Sequence, residues 1–65
     1  MNLLTKLKLT YFRWCRNCTI DDIRDINNEL PHLNKRAVEF ARRDLRELRD
    51  DLARIDEKIF RLLSQ

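Results

Sequence analysis

Sixty-five residues make one domain at most, and a chain this short buries only about 60% of its unfolded surface, so a metal, disulfides or a partner chain commonly supplies the missing stability. With no glycine, one proline and 38% charged side chains, it excludes glycine turns, phosphate-cradling loops and most β-hairpin chemistry, and its Leu, Arg, Asp, Glu and Lys content points to long helices. The net charge of +3 is uneven: residues 1–18 carry Lys6, Lys8, Arg13 and Arg16 and no acid, whereas residues 19–65 carry ten bases against eleven acids.

Residues 3–16 place apolar side chains at Leu3, Leu4, Leu7, Leu9, Tyr11, Phe12, Trp14 and Cys15. This crowded, roughly helical spacing predicts one or two short helices with little polar face. The lysines in MNLLTKLKL interrupt the apolar core that a secretory signal needs, and no run approaches the length of a membrane span. A soluble, cytoplasmic protein with reduced Cys15 and Cys18 is therefore expected.

A new helix is predicted to start at Thr19, an N-cap residue, with Asp22 at N3 and Cys18 and Ile23 placed as a hydrophobic staple. Ile20, Ile23, Ile26 and Leu30 then form a stripe at steps of three and four. Pro31 breaks or kinks that helix near 30–33, since an internal proline costs about 3 kcal/mol or more. Asn34 can cap a restart, with Leu33 and Val38 as a second staple.

Residues 34–64 carry the most regular pattern. Val38, Ala41, Leu45, Leu48, Leu52, Ile55, Ile59 and Leu62 fill eight consecutive a and d heptad positions without exception. Glu39–Arg43, Asp50–Arg54 and Glu57–Arg61 are spaced as supporting ion pairs. A helix of about 46 Å at 1.5 Å per residue cannot bury this stripe alone. The N-terminal segments look too short to cover it, so a second copy or a related chain is expected. Flanking charges Arg42, Arg49, Asp56 and Asp44, Asp51, Lys58 favour an antiparallel pairing, with Arg42 opposite Asp56 and Asp44 opposite Lys58. The expected fold is all-α: one helical oligomerisation domain over 1–65, with short helices and a first interface in 1–30 and a dimeric coiled coil in 34–64.

Candidate chemistry is sparse. Cys15 and Cys18 form a CxxC, but the second ligand pair of a zinc site and the βαβ context of a redox site are both lacking; His32 is the lone imidazole. Buried thiols beside a helix boundary is the plainer expectation. Tyr11, Phe12 and Trp14 interleaved with Arg13 and Arg16 suit a stacking platform for single-stranded nucleic acid, against the alternative that the rings enter the core while the arginines face water. Asp50, Asp51, Asp56 and Glu57 lack a pocket that would separate their pKa values. Residues 48–65 are similar to the first helix of helical chorismate mutases, which would make Arg49 or Arg54 a substrate contact; shared periodicity accounts for that match without the other helices of such a site. No catalytic residue, metal, cofactor or small-molecule substrate is expected.

The order of short basic helices, CTIDDIRDINNEL and a long heptad helix resembles the N-terminal oligomerisation domain of the nucleoid-structuring protein H-NS. Cys18, Thr19, Ile20, Ile23, Ile26 and Leu30 match that family's Cys-Thr-Leu and following leucines, and Arg16 matches a basic residue before them. The resemblance implies dimerisation through the helix beginning at Thr19 and higher assembly through the distal part of the long helix. Full-length members add a DNA-binding domain with a glycine-containing loop. A chain without glycine looks like a truncated paralogue of the H-NST type, which joins H-NS assemblies and antagonises silencing. Pro31 departs from the family, whose helix continues there. So do Leu9 and Phe12, which stand where H-NS presents arginines toward Hha-type partners. The Hha family, similarly small and also acting by binding H-NS, is the second resemblance.

The function expected is modulation of transcription by homodimerisation and hetero-oligomerisation with H-NS or a relative, in the cytoplasmic nucleoid, touching DNA only indirectly. Ile20, Ile23, Ile26 and Leu30 would form the first interface and the heptad residues from Val38 to Leu62 the second. Lys6, Lys8, Arg13 and Arg16 would steer electrostatically. Direct nucleic-acid binding by the basic N-terminus is the alternative.

Overall fold

The computed structural model describes residues 2–64 and is all-helical. Helix α1 spans Leu3–Glu29, a single 3₁₀ turn spans Leu30–His32, and helix α2 spans Lys35–Leu63. The two helices pack antiparallel as a hairpin with extents of 49 × 14 × 11 Å.

The expected helix start at Thr19 is absent. Helix α1 runs without interruption for 27 residues, so the short N-terminal helices are in fact one long one. The Thr19 hydroxyl donates to the Cys15 carbonyl one turn back at 2.9 Å, instead of capping a new helix. The reason lies in a stripe that polar residues had disguised. Thr5, Leu9, Phe12, Arg16, Thr19, Ile23, Ile26 and Leu30 step by four and three, and each is buried or half-buried. Arg16 and Thr19 hold two of these inward places with their polar ends satisfied, so a cap at Thr19 would interrupt a seam that runs straight through it. The true start of α1 is capped by Asn2, whose Oδ1 accepts the Thr5 N–H at 2.8 Å.

The break at Pro31 is where the sequence puts it. Pro31 sits in the first part of the 3₁₀ turn, where its missing N–H costs little. Leu33 is extended and donates its N–H to the Leu30 carbonyl at 3.3 Å. Asn34 caps α2 by accepting the Ala37 N–H at 2.9 Å, as its position suggested. Leu33 and Val38, the expected staple pair, are both half-buried.

All eight heptad residues of α2 are buried or half-buried, and the covering element is α1 of the same chain. The expectation that the N-terminal segments were too short for this is corrected: α1 has 27 residues against 29 in α2. Among the described residues only Leu9, Ala41 and Leu45 are buried, and each keeps a few per cent of its surface exposed. Burial of each leucine contributes about 1.5–3 kcal/mol, which is a thin core for a domain. Arg16 Nε donates to Asp56 Oδ1 at 2.8 Å and ties the helices together. This bridge is half-exposed, so it contributes no more than about 1 kcal/mol. Of the expected pairs along α2, Glu57–Arg61 forms at 2.6 Å. Arg43 instead meets Glu47 at 3.5 Å and Arg54 meets Asp51 at 3.7 Å.

Candidate association surface

Two helices side by side cover each other along one seam and leave two broad faces open. The chain exposes 5490 Å², whereas a compact 8.0 kDa monomer exposes about 4,450 Å². The Cα radius of gyration is 15.1 Å, against roughly 10.7 Å for a compact domain of this length. Among the described residues eight large apolar side chains lie on the surface, namely Leu3, Leu4, Leu7, Tyr11, Trp14, Phe40, Phe60 and Leu63.

The predicted interface residues divide differently. Ile23, Ile26, Leu30 and the stripe Val38, Ala41, Leu45, Leu48, Leu52, Ile55, Ile59 and Leu62 belong to the seam inside the hairpin, and Ile20 is half-buried on its margin. Lys6 and Arg13 are exposed, Lys8 lines a groove, and Arg16 is engaged with Asp56. Asp56 is therefore already held by its own chain, and the pairing of Arg42 with Asp56 across a dimer is replaced by an internal contact.

The aromatic cluster also differs from expectation. Tyr11 and Trp14 are 59% and 63% exposed, and only Phe12 turns inward far enough to be half-buried. Tyr11 meets Phe12 edge-on at 5.5 Å between centroids, and Lys58 Nζ stands 5.6 Å from the Phe12 centroid. Carried past Arg16 and Thr19, the heptad register would have put Tyr11 and Trp14 off the stripe from sequence alone. Cys15 and Cys18 are free and half-buried within an unbroken helix, not beside a helix boundary. Cys15 raises the pKa of Tyr11 above its ordinary value, first by a hydrogen bond and then by repulsion between the two anions.

One open face carries two unlike grooves. Near the turn, Asp22, Asp25, Glu29, Asp44, Glu47 and Asp51 surround Ile26 and Leu48. At the open end, Leu7, Tyr11, Phe12 and Leu62 are rimmed by Lys8, Lys58 and Arg61. The opposite face holds Arg42, Arg46 and Arg49 around Leu45, and Arg13 with Arg16 beside Asp56. Among the described residues no group of three or more His, Cys, Asp or Glu side chains is placed to hold a metal ion. No helix among them is long and apolar enough to cross a membrane. The arrangement suits docking of another helical surface, with apolar area at the centre and charge at the rim. No family model, curated protein or solved structure matches this chain.

Proposed function

We propose that this chain is a helical association module that modulates transcription by joining assemblies of H-NS-like nucleoid proteins. What supports the association part is one observation: three buried side chains stand against eight large apolar ones on the surface. An exposed apolar patch rimmed by charge marks an interaction site in a monomeric protein. The excess exposure of roughly 1,000 Å² is close to the 800 Å² or so that one partner contributes to a standard interface.

The partner class rests on the resemblance carried by Cys18, Thr19, Ile20, Ile23, Ile26 and Leu30. In this fold most of those side chains face the chain's own second helix, so docking falls to the outward residues Leu4, Leu7, Tyr11 and Trp14. These 65 residues hold no glycine for a minor-groove loop. A subunit built from them would occupy an assembly site without adding that DNA contact. Multivalent binding, whose avidity depends on linked domains, would be interrupted there. An Hha-like role as an H-NS co-regulator is the alternative, and it too requires binding to an H-NS-type protein.

The test is co-purification with an H-NS-type protein, comparing the native chain with Leu7→Asp and Trp14→Asp. Both positions are more than half exposed, so the variants keep the hairpin. Capture by the native chain and its loss in the variants supports the reading. Equal capture by all three, or by none, removes it.

A further inference from the structure

The two grooves on the open face are related by position. Asp22 and Lys8 stand fourteen residues apart on α1, as do Asp44 and Lys58, and Glu47 and Arg61, on α2. Fourteen residues is nearly four helical turns, so each member of a pair projects from the same side about 21 Å from the other. The apolar floor repeats with the same offset, Ile26 to Phe12 and Leu48 to Leu62. Each helix therefore presents the same half-site twice along one face, with the charge inverted.

A surface that is acidic at one end and basic at the other complements a reversed copy of itself. We infer that the hairpin self-associates through this face as an antiparallel two-fold dimer, the acidic groove of each copy receiving the basic-rimmed aromatic groove of the other. The inference rests on the association reading above and names a second copy as the occupant. A two-fold axis lying across the face midway between the grooves meets α1 near Asn17 and α2 near Arg54, the level of the Arg16–Asp56 bridge. Each helix then lies antiparallel to its counterpart. Arg61 meets Glu47 of the other copy, Lys58 meets Asp51, and Lys8 falls between Asp25 and Glu29, every contact occurring twice. Its cost is Arg54 near Arg54 at the axis, moderated by Asp51 at 3.7 Å, and the sharing of Arg61 and Glu47 with their exposed intrahelical partners Glu57 at 2.6 Å and Arg43 at 3.5 Å.

The reverse choice, basic groove on basic groove, would bury more aromatic surface but set Lys8, Lys58 and Arg61 against themselves. Like charges across an interface suppress that arrangement. The area is adequate: a face of 49 by 14 Å buries roughly 1,400 Å² over two copies, within the range of about 1,200–2,000 Å² for specific interfaces.

The experiment uses two double variants of the full chain, Glu47→Lys with Asp51→Lys and Lys58→Glu with Arg61→Glu. All four positions are exposed, and helicity by circular dichroism checks each fold. Alone, each variant should self-associate roughly fifty-fold more weakly than the native chain by sedimentation equilibrium, since four contacts turn repulsive. Mixed in equal amounts they should recover native affinity as a heterodimer. Undiminished self-association of either variant, or no recovery on mixing, overturns the inference. A second readout needs no substitution. The register brings Cys15 of one copy within a turn of Cys18 of the other, so a short bis-maleimide should convert the native dimer into a covalent one. Absence of that product overturns the face. A native chain that is monomeric but still captures H-NS-type proteins would remove this inference and leave the proposed function standing. Failure of both removes the association reading itself.

Discussion

Whether α1 is one helix or two is decided by a proline at position 20. Were Thr19 an N-cap, Ile20 would be the first helical residue, where proline is favoured because its missing N–H has no intrahelical partner. In a continuous helix the same substitution removes the bond from residue 20 to the Arg16 carbonyl and drives the ring into it, costing about 3 kcal/mol or more. Ile20 is half-buried, so Ile20→Ala provides the correction for the lost side chain. A 65-residue chain unfolds with an entropy of roughly 0.14 kcal/mol per kelvin. The penalty beyond Ile20→Ala should therefore lower Tm by roughly 20 °C, read by circular dichroism at fixed protein concentration. Total stabilities of such chains are about 3–10 kcal/mol, so Ile20→Pro should be largely unfolded at 37 °C. If Ile20→Pro and Ile20→Ala melt within a few degrees of each other, the unbroken helix is wrong.

Three further experiments test the hairpin. Asn34→Ala removes the cap of α2 and should cost about 1 kcal/mol in urea unfolding. Leu45→Ala, at a site 5% exposed, should cost about 3 kcal/mol, while Phe60→Ala, 70% exposed, should stay within about 0.5 kcal/mol. Similar losses at both would mean that α1 does not cover the seam. A double-mutant cycle of Arg16→Ala and Asp56→Ala should give a coupling of about 0.5 kcal/mol that fades in 1 M salt, because the pair is half-exposed.

The sequence revealed the second half of this molecule more readily than the first. In α2 every inward position is apolar, Pro31 and Asn34 mark its start without competition, and the stripe reads directly. In α1 two inward positions are Arg16 and Thr19. A rule that equates inward with apolar splits the helix there, and the good capping chemistry of Thr19 and Asp22 reinforces the split. Tertiary packing overrides that local preference, because a seam of eight positions outweighs one cap of about 1 kcal/mol. A helix split at Thr19 also shortens the N-terminal half below what is needed to cover α2, and that is why the stripe reads as an interface with another chain. With the stripe covered internally, the surface available for association moves to Leu7, Tyr11, Trp14 and the charged grooves beside them. For Tyr11 and Trp14 the sequence leaves core packing and a nucleic-acid platform as alternatives, since their outward direction depends on the register through Arg16.

The account depends on this hairpin being incomplete by itself. Sedimentation equilibrium of the native chain over micromolar to millimolar concentrations, with melting followed across the same range, tests that dependence most directly. The expected species is twice the 8.0 kDa chain mass, with a Tm that rises as the protein is concentrated, because association stabilises the folded state by mass action. A sharp, concentration-independent transition from a species of 8.0 kDa throughout, with no partner protein captured, would contradict it.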